Sequence, residues 1–389
     1  MSDYRKLTSK EIAALEHQGC AAADWSQVEV AEGFDPARVR GTEFVGRIRL
    51  GALTGTVKGE GGVLLPCGIF EATLVQCEVG DNVRLARIGG HIANYVIGDG
   101  AVITNVGTLT TNPGATFGNG VAAACVNEGG GREVLLFDEL SSQFAYLMAM
   151  YRHDEKLIAR LVAMVKAHVD RVRSDMGRVG AGAVVAHVGE IVDVNIGPAA
   201  QVVGPARLHT GTILSEAGAP TRVGAGVVAH DFIIAEGATV EDGVILHTSF
   251  VGQGVKMGKQ YSAENSLFFA NSEGFHGEAC SIFAGPYTVT HHKSTLLIAG
   301  IYSFYNAGSG TNASNHMYKL GPVHQGIMQR GSKNGSFSYL LWPTVVAPFS
   351  VVIGKHMASF DAGDLPFSYI TEEGGASVVT PAMNMVTVG

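Results

Sequence analysis

An apolar residue followed at once by glycine, two small or polar residues and then another aliphatic recurs along this chain, and nothing else in the sequence constrains the fold as tightly. The unit stands at Val79-Gly80, Ile97-Gly98, Phe117-Gly118, Val179-Gly180, Ile196-Gly197, Val223-Gly224, Val251-Gly252 and Ile353-Gly354. A repeat of roughly six residues with an aliphatic position beside glycine predicts a parallel β-helix built from hexapeptides, an all-β solenoid. In a narrow triangular coil one side chain per short strand points inward, so Val, Ile, Leu and Ala fill the core. Glycine, Asn and Asp serve the corners, where the backbone needs unusual dihedrals. A β-sandwich with glycine-rich turns accounts less well for glycines placed directly after an apolar residue.

One segment breaks the repeat. From Asp138 to Arg173 there is no glycine or proline and few β-branched residues until the end, which predicts helix. Phe144, Leu147, Met148 and Tyr151 share one face, and Leu157, Leu161, Met164 and Val165 share another. The "HDEK" between them, with Asp154 as a cap, predicts a helical hairpin. A shorter helix is expected at "SKEIAALEHQG", capped by Ser9 and ended by Gly19. The expected division is an amino-terminal helical and extended element (1–45), a first β-helix block (46–137), the α-helical insertion (138–176) and a second block (177–389) carrying the active site. The chain stops at "NMVTVG" with no capping helix, so a partner or a further segment is expected to cover the last coil.

Charge and cysteine usage narrow the function classes. A net charge of −8 without any Lys/Arg run excludes a basic footprint, so nucleic acid is not an expected partner. Five widely spaced cysteines without a CxxC pair point to reduced thiols and a cytoplasmic location. The polar amino terminus does not resemble a signal peptide, and no apolar run is long enough to span a bilayer, so no membrane is expected.

After Lys259 the bland repeats give way to a segment rich in aromatic and reactive side chains. Residues 288–321, "TVTHHKSTLLIAGIYSFYNAGSGTNASNHMYKLG", gather three histidines and several carboxamides. Chemistry is usually carried where a rigid scaffold presents such side chains in loops.

The repeat resembles that of the left-handed parallel β-helix proteins, whose known members are mostly trimers, which implies a homotrimer here. Within it, "NAGSGTNASNHMYK" is similar to the NxGxGTxxxN turn of the acetyltransferase domain in bifunctional enzymes that make UDP-N-acetylglucosamine. There the acceptor sugar phosphate meets acetyl-coenzyme A at a subunit interface, and a histidine is general base. That resemblance implies His292 as base, fourteen positions before Asn306, with Glu278 a further fourteen before it as supporting acid. It also implies a sugar contact at Asn306 and an acyl-facing pair at Asn315 and His316. The pattern departs from the family at His316 and Thr295, where the family has tyrosines, and at Lys319, two positions early for the substrate lysine. The nucleotidyltransferase signature is absent. Over its whole length the chain resembles a group of uncharacterised bacterial proteins that share "GPYTVTHHKSTLLIAG" and "SNHMYKLGPVHQG" and typically carry a further carboxy-terminal part.

The residues support the same chemistry. A neutral imidazole takes the proton of an attacking amine or hydroxyl at neutral pH, and backbone N–H groups of a glycine-rich turn stabilise the oxyanion. Lys293, Lys319, Arg330, Lys333 and Lys355 are candidates for phosphates of the acceptor or of acyl-coenzyme A. Tyr305 and His324 complete the substrate-binding set, with Tyr287, Tyr302, Phe304 and Tyr318 as further rings able to stack on a sugar or nucleotide.

Two alternatives stay open. His276, His291, His292, His316 and His324 hold enough imidazoles for a three-histidine zinc site, of the kind γ-class carbonic anhydrases build between subunits. The other alternative is a non-catalytic β-helix that binds a sugar or nucleotide. His187, His209, His230 and His247 read as lone histidines bonded to neighbouring backbone, and Cys280 as an inert buried thiol.

Overall fold

The computed structural model describes residues 4–316 and 325–388. The chain forms two compact units, Met1–Gly118 with Asp170–Ala229, and Asn119–Val169 with His230–Gly389. Each is a coil of short parallel strands. In the first, Val39, Ile69, Leu85, Ile103, Val185 and Val202 follow one another across paired strands, and all six are fully buried. In the second, Leu246, Ala263, Ala279, Leu297 and Ala313 form an equivalent interior column. These are ladders of one inward side chain per strand, as the aliphatic repeat predicts.

The register measures the coil. Thr239, Lys256, Glu273, Val289 and Asn306 are successive partners on one face, at intervals of 17, 17, 16 and 17 residues. Two other faces contribute a strand each per turn, so three strands make one turn. The corner after Phe250–Val251 and its successors takes positive φ at Gly254, Asn271, Tyr287 and Phe304, again 17, 16 and 17 apart.

The glycine of the repeat has a different task from the one expected. At Val179-Gly180-Ala181-Gly182, Gly182 has φ +66° and makes the turn. Gly180 does not; a Cβ there would lie 2.3 Å from the Pro198 nitrogen of the next rung. At Gly80, Gly98, Gly180, Gly197 and Gly252 the backbone of the next rung passes too close for a side chain, and the left-handed corner comes two residues later, whereas Gly118 and Gly354 take positive φ themselves.

The coil also starts earlier than expected. Val28–Ala31 already pairs in parallel with Ile48–Leu50, and Val39–Val45 with Gly68–Val75, so residues 28–45 belong to the solenoid. The amino-terminal strand Tyr4–Lys6 runs antiparallel along Val28–Ala31, and at the other end Ala376–Thr380 folds back antiparallel on Tyr369–Glu373. Among the described residues, no helix is long and apolar enough to cross a membrane.

Among the described residues the α-helices are α1 (Ser9–His17), α2 (Ser142–Met150), α3 (Glu155–Val172) and a single turn, α4 (Met385–Val388), where the sequence suggests no helix. The hairpin forms as its sequence implies, with Asp154 Oδ1 accepting from the Leu157 amide at 3.0 Å. Residues 119–137 belong with it and not with the first coil block. Ala122–Ala123 pairs antiparallel with Val134–Leu135, and the segment shares one apolar core with both helices. Ala145, Met148, Leu161, Val165 and Val169 bury against Phe250, Leu267, Phe269 and Phe283 on one flank of the coil. Met164, expected on that face, is 61 % exposed.

Candidate functional site

The expected catalytic cluster lies on the second unit, at and beside the face bearing Glu273, Val289, Asn306 and Lys333. These four alternate with buried Gly274, Thr290, Ala307 and Asn334, so they point outward. His291 follows on the same outer surface. Its Nε2 bonds the Glu273 carboxylate, and its ring lies 5.3 Å from that of Phe275.

His292 is exposed in the turn between Val289–Thr290 and Leu296–Ile298, its carbonyl accepting from Thr295 Oγ1 at 3.0 Å. Among the described residues its imidazole has no hydrogen-bond partner. Glu278 starts a strand on the next face, exposed and in register with Leu296. No hydrogen bond or ion pair joins it to His292, so the carboxylate that the structure places against an imidazole here is Glu273, against His291.

Of the proposed substrate contacts, Asn306 and Lys293 are exposed, as the reading requires. Tyr305 is a correction. It is 1 % exposed, packed against the Tyr302 ring at 4.9 Å inside the coil, and burial raises its phenol pKa. A ligand outside the coil does not reach it. Asn315 and His316 end the strand Asn312–His316, in register with Leu341 and Trp342. Lys319 and His324 lie outside the described residues. Of the five histidines proposed for zinc, His276 sits at a corner with φ +60°, His291 is engaged by Glu273, and His292 is in the following turn. Among the described residues they converge on no three-ligand group.

At the other edge of the same face the corner residues form an exposed aromatic ledge. The Tyr287 and Phe304 rings stack at 5.0 Å, and the Arg330 guanidinium sits 4.4 Å over Phe304. Each ring occupies a corner of a successive turn, which aligns them along the coil. Beside this ledge, between α2 and the coil, is a cavity of about 490 Å³ lined mainly by Tyr146, Leu147, Tyr151, Phe283 and Ile301. Pro286 and Ser303 also border it and directly precede the two ledge rings.

Two further outcomes concern residues set aside at first. Cys280 is half-buried, not enclosed, and burial pushes its thiol up to about 11, away from nucleophilic use at neutral pH. His230 and His247, read as separate histidines, are brought together with Asp231. The available signal was their separation of 17 residues, one turn of this coil, which is invisible until the turn length is known.

An uncharacterised protein of Treponema pallidum (strain Nichols) is 27 % identical over 381 residues, covering 95 % of this chain and 52 % of that protein. The chain therefore spans about half the length of the curated relative it matches. The profile of one family, described as a domain of unknown function (DUF4954), matches residues 4–389, and the chain belongs to that family.

Proposed function

We propose that this chain is an acyltransferase that moves an acetyl or other acyl group from acyl-coenzyme A to an amine or hydroxyl of a sugar or nucleotide sugar, with His292 as general base. The observation that carries the reading is one outer face of the coil. It has an exposed imidazole without a side-chain partner among the described residues at one edge, and an aromatic ledge topped by Arg330 at the other. His292 is five residue steps of extended chain beyond Tyr287, a span of about 16 Å. A nucleotide stacked on the ledge would extend a linear thioester arm across Asn306 and Lys333, which are in register on adjacent strands.

The chemistry needs little more. His292 takes the acceptor's proton as its nitrogen or oxygen bonds the acyl carbon, the carbon–sulfur bond breaks, and the thiolate leaves to be protonated. Lys333 and Arg330 supply cations for phosphates. Turns of 16 to 18 residues, close to three six-residue repeats, support the hexapeptide class; the left-handed coil and the homotrimer are proposed from the resemblance of the repeat.

The test is acetyl-coenzyme A titration with turnover of an amino sugar. His292→Ala should keep coenzyme binding and lose turnover at least about 100-fold, whereas Arg330→Ala should weaken binding about tenfold. Turnover surviving in His292→Ala, or no coenzyme binding by the intact chain, overturns the proposal. Sugar or nucleotide binding without turnover would favour a non-catalytic binding solenoid.

A further inference from the structure

His230 and His247, both in the second unit, are each third in their strands, Val228–Ile234 and Ile245–Val251, which pair with each other. Both side chains are exposed, and each immediately precedes a corner residue of positive φ, Asp231 and Thr248. The shared register stacks the two imidazoles at 5.3 Å with planes only 7° apart. The corner conformation of Asp231 turns its carboxylate back onto the preceding ring, with Oδ2 2.9 Å from His230 Nδ1. Thr248 Oγ1 lies 3.2 Å from His247 Nδ1 and helps fix that ring. One donor atom from each of His230, Asp231 and His247 lies within 4.8 Å of the others.

We propose that His230, Asp231 and His247 form a binding site for a divalent transition metal of the zinc class, separate from the acyl-transfer face and independent of that reading. Adjacent rungs of a sheet are about 4.8 Å apart, so histidines one coil turn apart are neighbours, as histidines one helical turn apart are in zinc-binding helices. Around tetrahedral zinc with bonds of about 2.0–2.1 Å the ligand atoms are roughly 3.3 Å apart, a contraction that small rotations of exposed side chains supply. Two imidazoles and one carboxylate select zinc, nickel, iron or copper over magnesium and calcium, and they leave coordination positions open for water or a substrate oxygen. Metal binding replaces the His230–Asp231 hydrogen bond, with each neutral imidazole keeping its proton on the ring nitrogen that does not face the metal.

The experiment uses the full chain after chelator treatment, titrated with Co²⁺ and followed by visible d–d absorption, with Zn²⁺ as competitor. One Co²⁺ per chain is expected, displaced by Zn²⁺. His230→Ala and His247→Ala should each weaken binding at least about tenfold and Asp231→Asn should weaken it measurably, whereas His292→Ala should bind as the unaltered chain does. Unchanged Co²⁺ binding in both His230→Ala and His247→Ala overturns the site, and so does an equal loss in His292→Ala. Should either variant fail to fold by circular dichroism, carbethoxylation of the unaltered chain decides. Zn²⁺ must protect His230 and His247 while leaving His292 reactive, and equal modification with and without metal overturns the proposal.

Discussion

At the residue scale the amino-terminal helix shows how a cap is chosen. Ser9 and Thr8 are both suitable N-caps by type, and the structure uses Thr8 because Glu11 then falls at the third helical position. Thr8 Oγ1 accepts from the Glu11 amide at 3.3 Å, and Glu11 accepts from the Thr8 amide at 2.8 Å. Arg5 adds two hydrogen bonds to the same carboxylate, at 3.0 and 2.8 Å, and is the main reason its pKa falls to about 2. A depressed carboxylate adds stability that is full above its unfolded value of about 4.3 and is lost as pH falls toward 2. Glu11→Gln should therefore melt below the unaltered chain by a constant margin from pH 7 to 5, and the margin should close between pH 4 and 2. A margin independent of pH in thermal melts would mean that the carboxylate charge is not what stabilises the cap. The adjacent pair His291 and His292 carries the same lesson. Alternation says that the two rings face apart, but only the register that places Glu273 one rung away decides which is engaged.

At the element scale, the large aromatics inside so narrow a coil are accommodated by glycines whose missing side chains leave room for the rings. Trp342 is fully buried, its Nε1 donating to the Ile298 carbonyl at 2.6 Å, and a Cβ on Gly326 would lie 2.2 Å from its ring. Tyr302 covers Gly300 in the same way. Gly326→Ala should destabilise by about 1–3 kcal/mol or more through overpacking, and Trp342→Leu in the same chain should recover part of that loss in urea unfolding. The opposite result, a neutral Gly326→Ala, would mean that the ring moves aside freely. In the helical hairpin, Leu161→Ala should cost about 2–5 kcal/mol, while Met164→Ala should change stability by less than about 0.5 kcal/mol. Equal effects would contradict the face that the structure buries. The stripe of Leu157, Leu161, Met164 and Val165 is legible from spacing, but its edge is set by where the coil surface ends.

At the scale of the whole molecule, the proposed trimer is tested by sedimentation equilibrium, which should give three times the 40.7 kDa chain mass; a monomer with full turnover would remove the subunit interface from the mechanism. The sequence by itself determined the solenoid and its helical interruption, because both rest on local rules. One inward aliphatic per short strand, a forbidden side chain beside it and an uninterrupted run of helix formers each leave a periodic mark. It also located the polar segment after Lys259, since a change of composition needs no coordinates. What only the tertiary structure decided is which residues meet. The exact turn length and insertions between turns set the register, and a register that varies from 16 to 18 residues is not readable from glycines alone. Thus the ledge of Tyr287, Phe304 and Arg330, the burial of Tyr305 and the convergence of His230, Asp231 and His247 emerge only when successive turns are stacked. In a coil, contacts form between residues one turn apart, and a single local sequence carries no record of its neighbour one rung away.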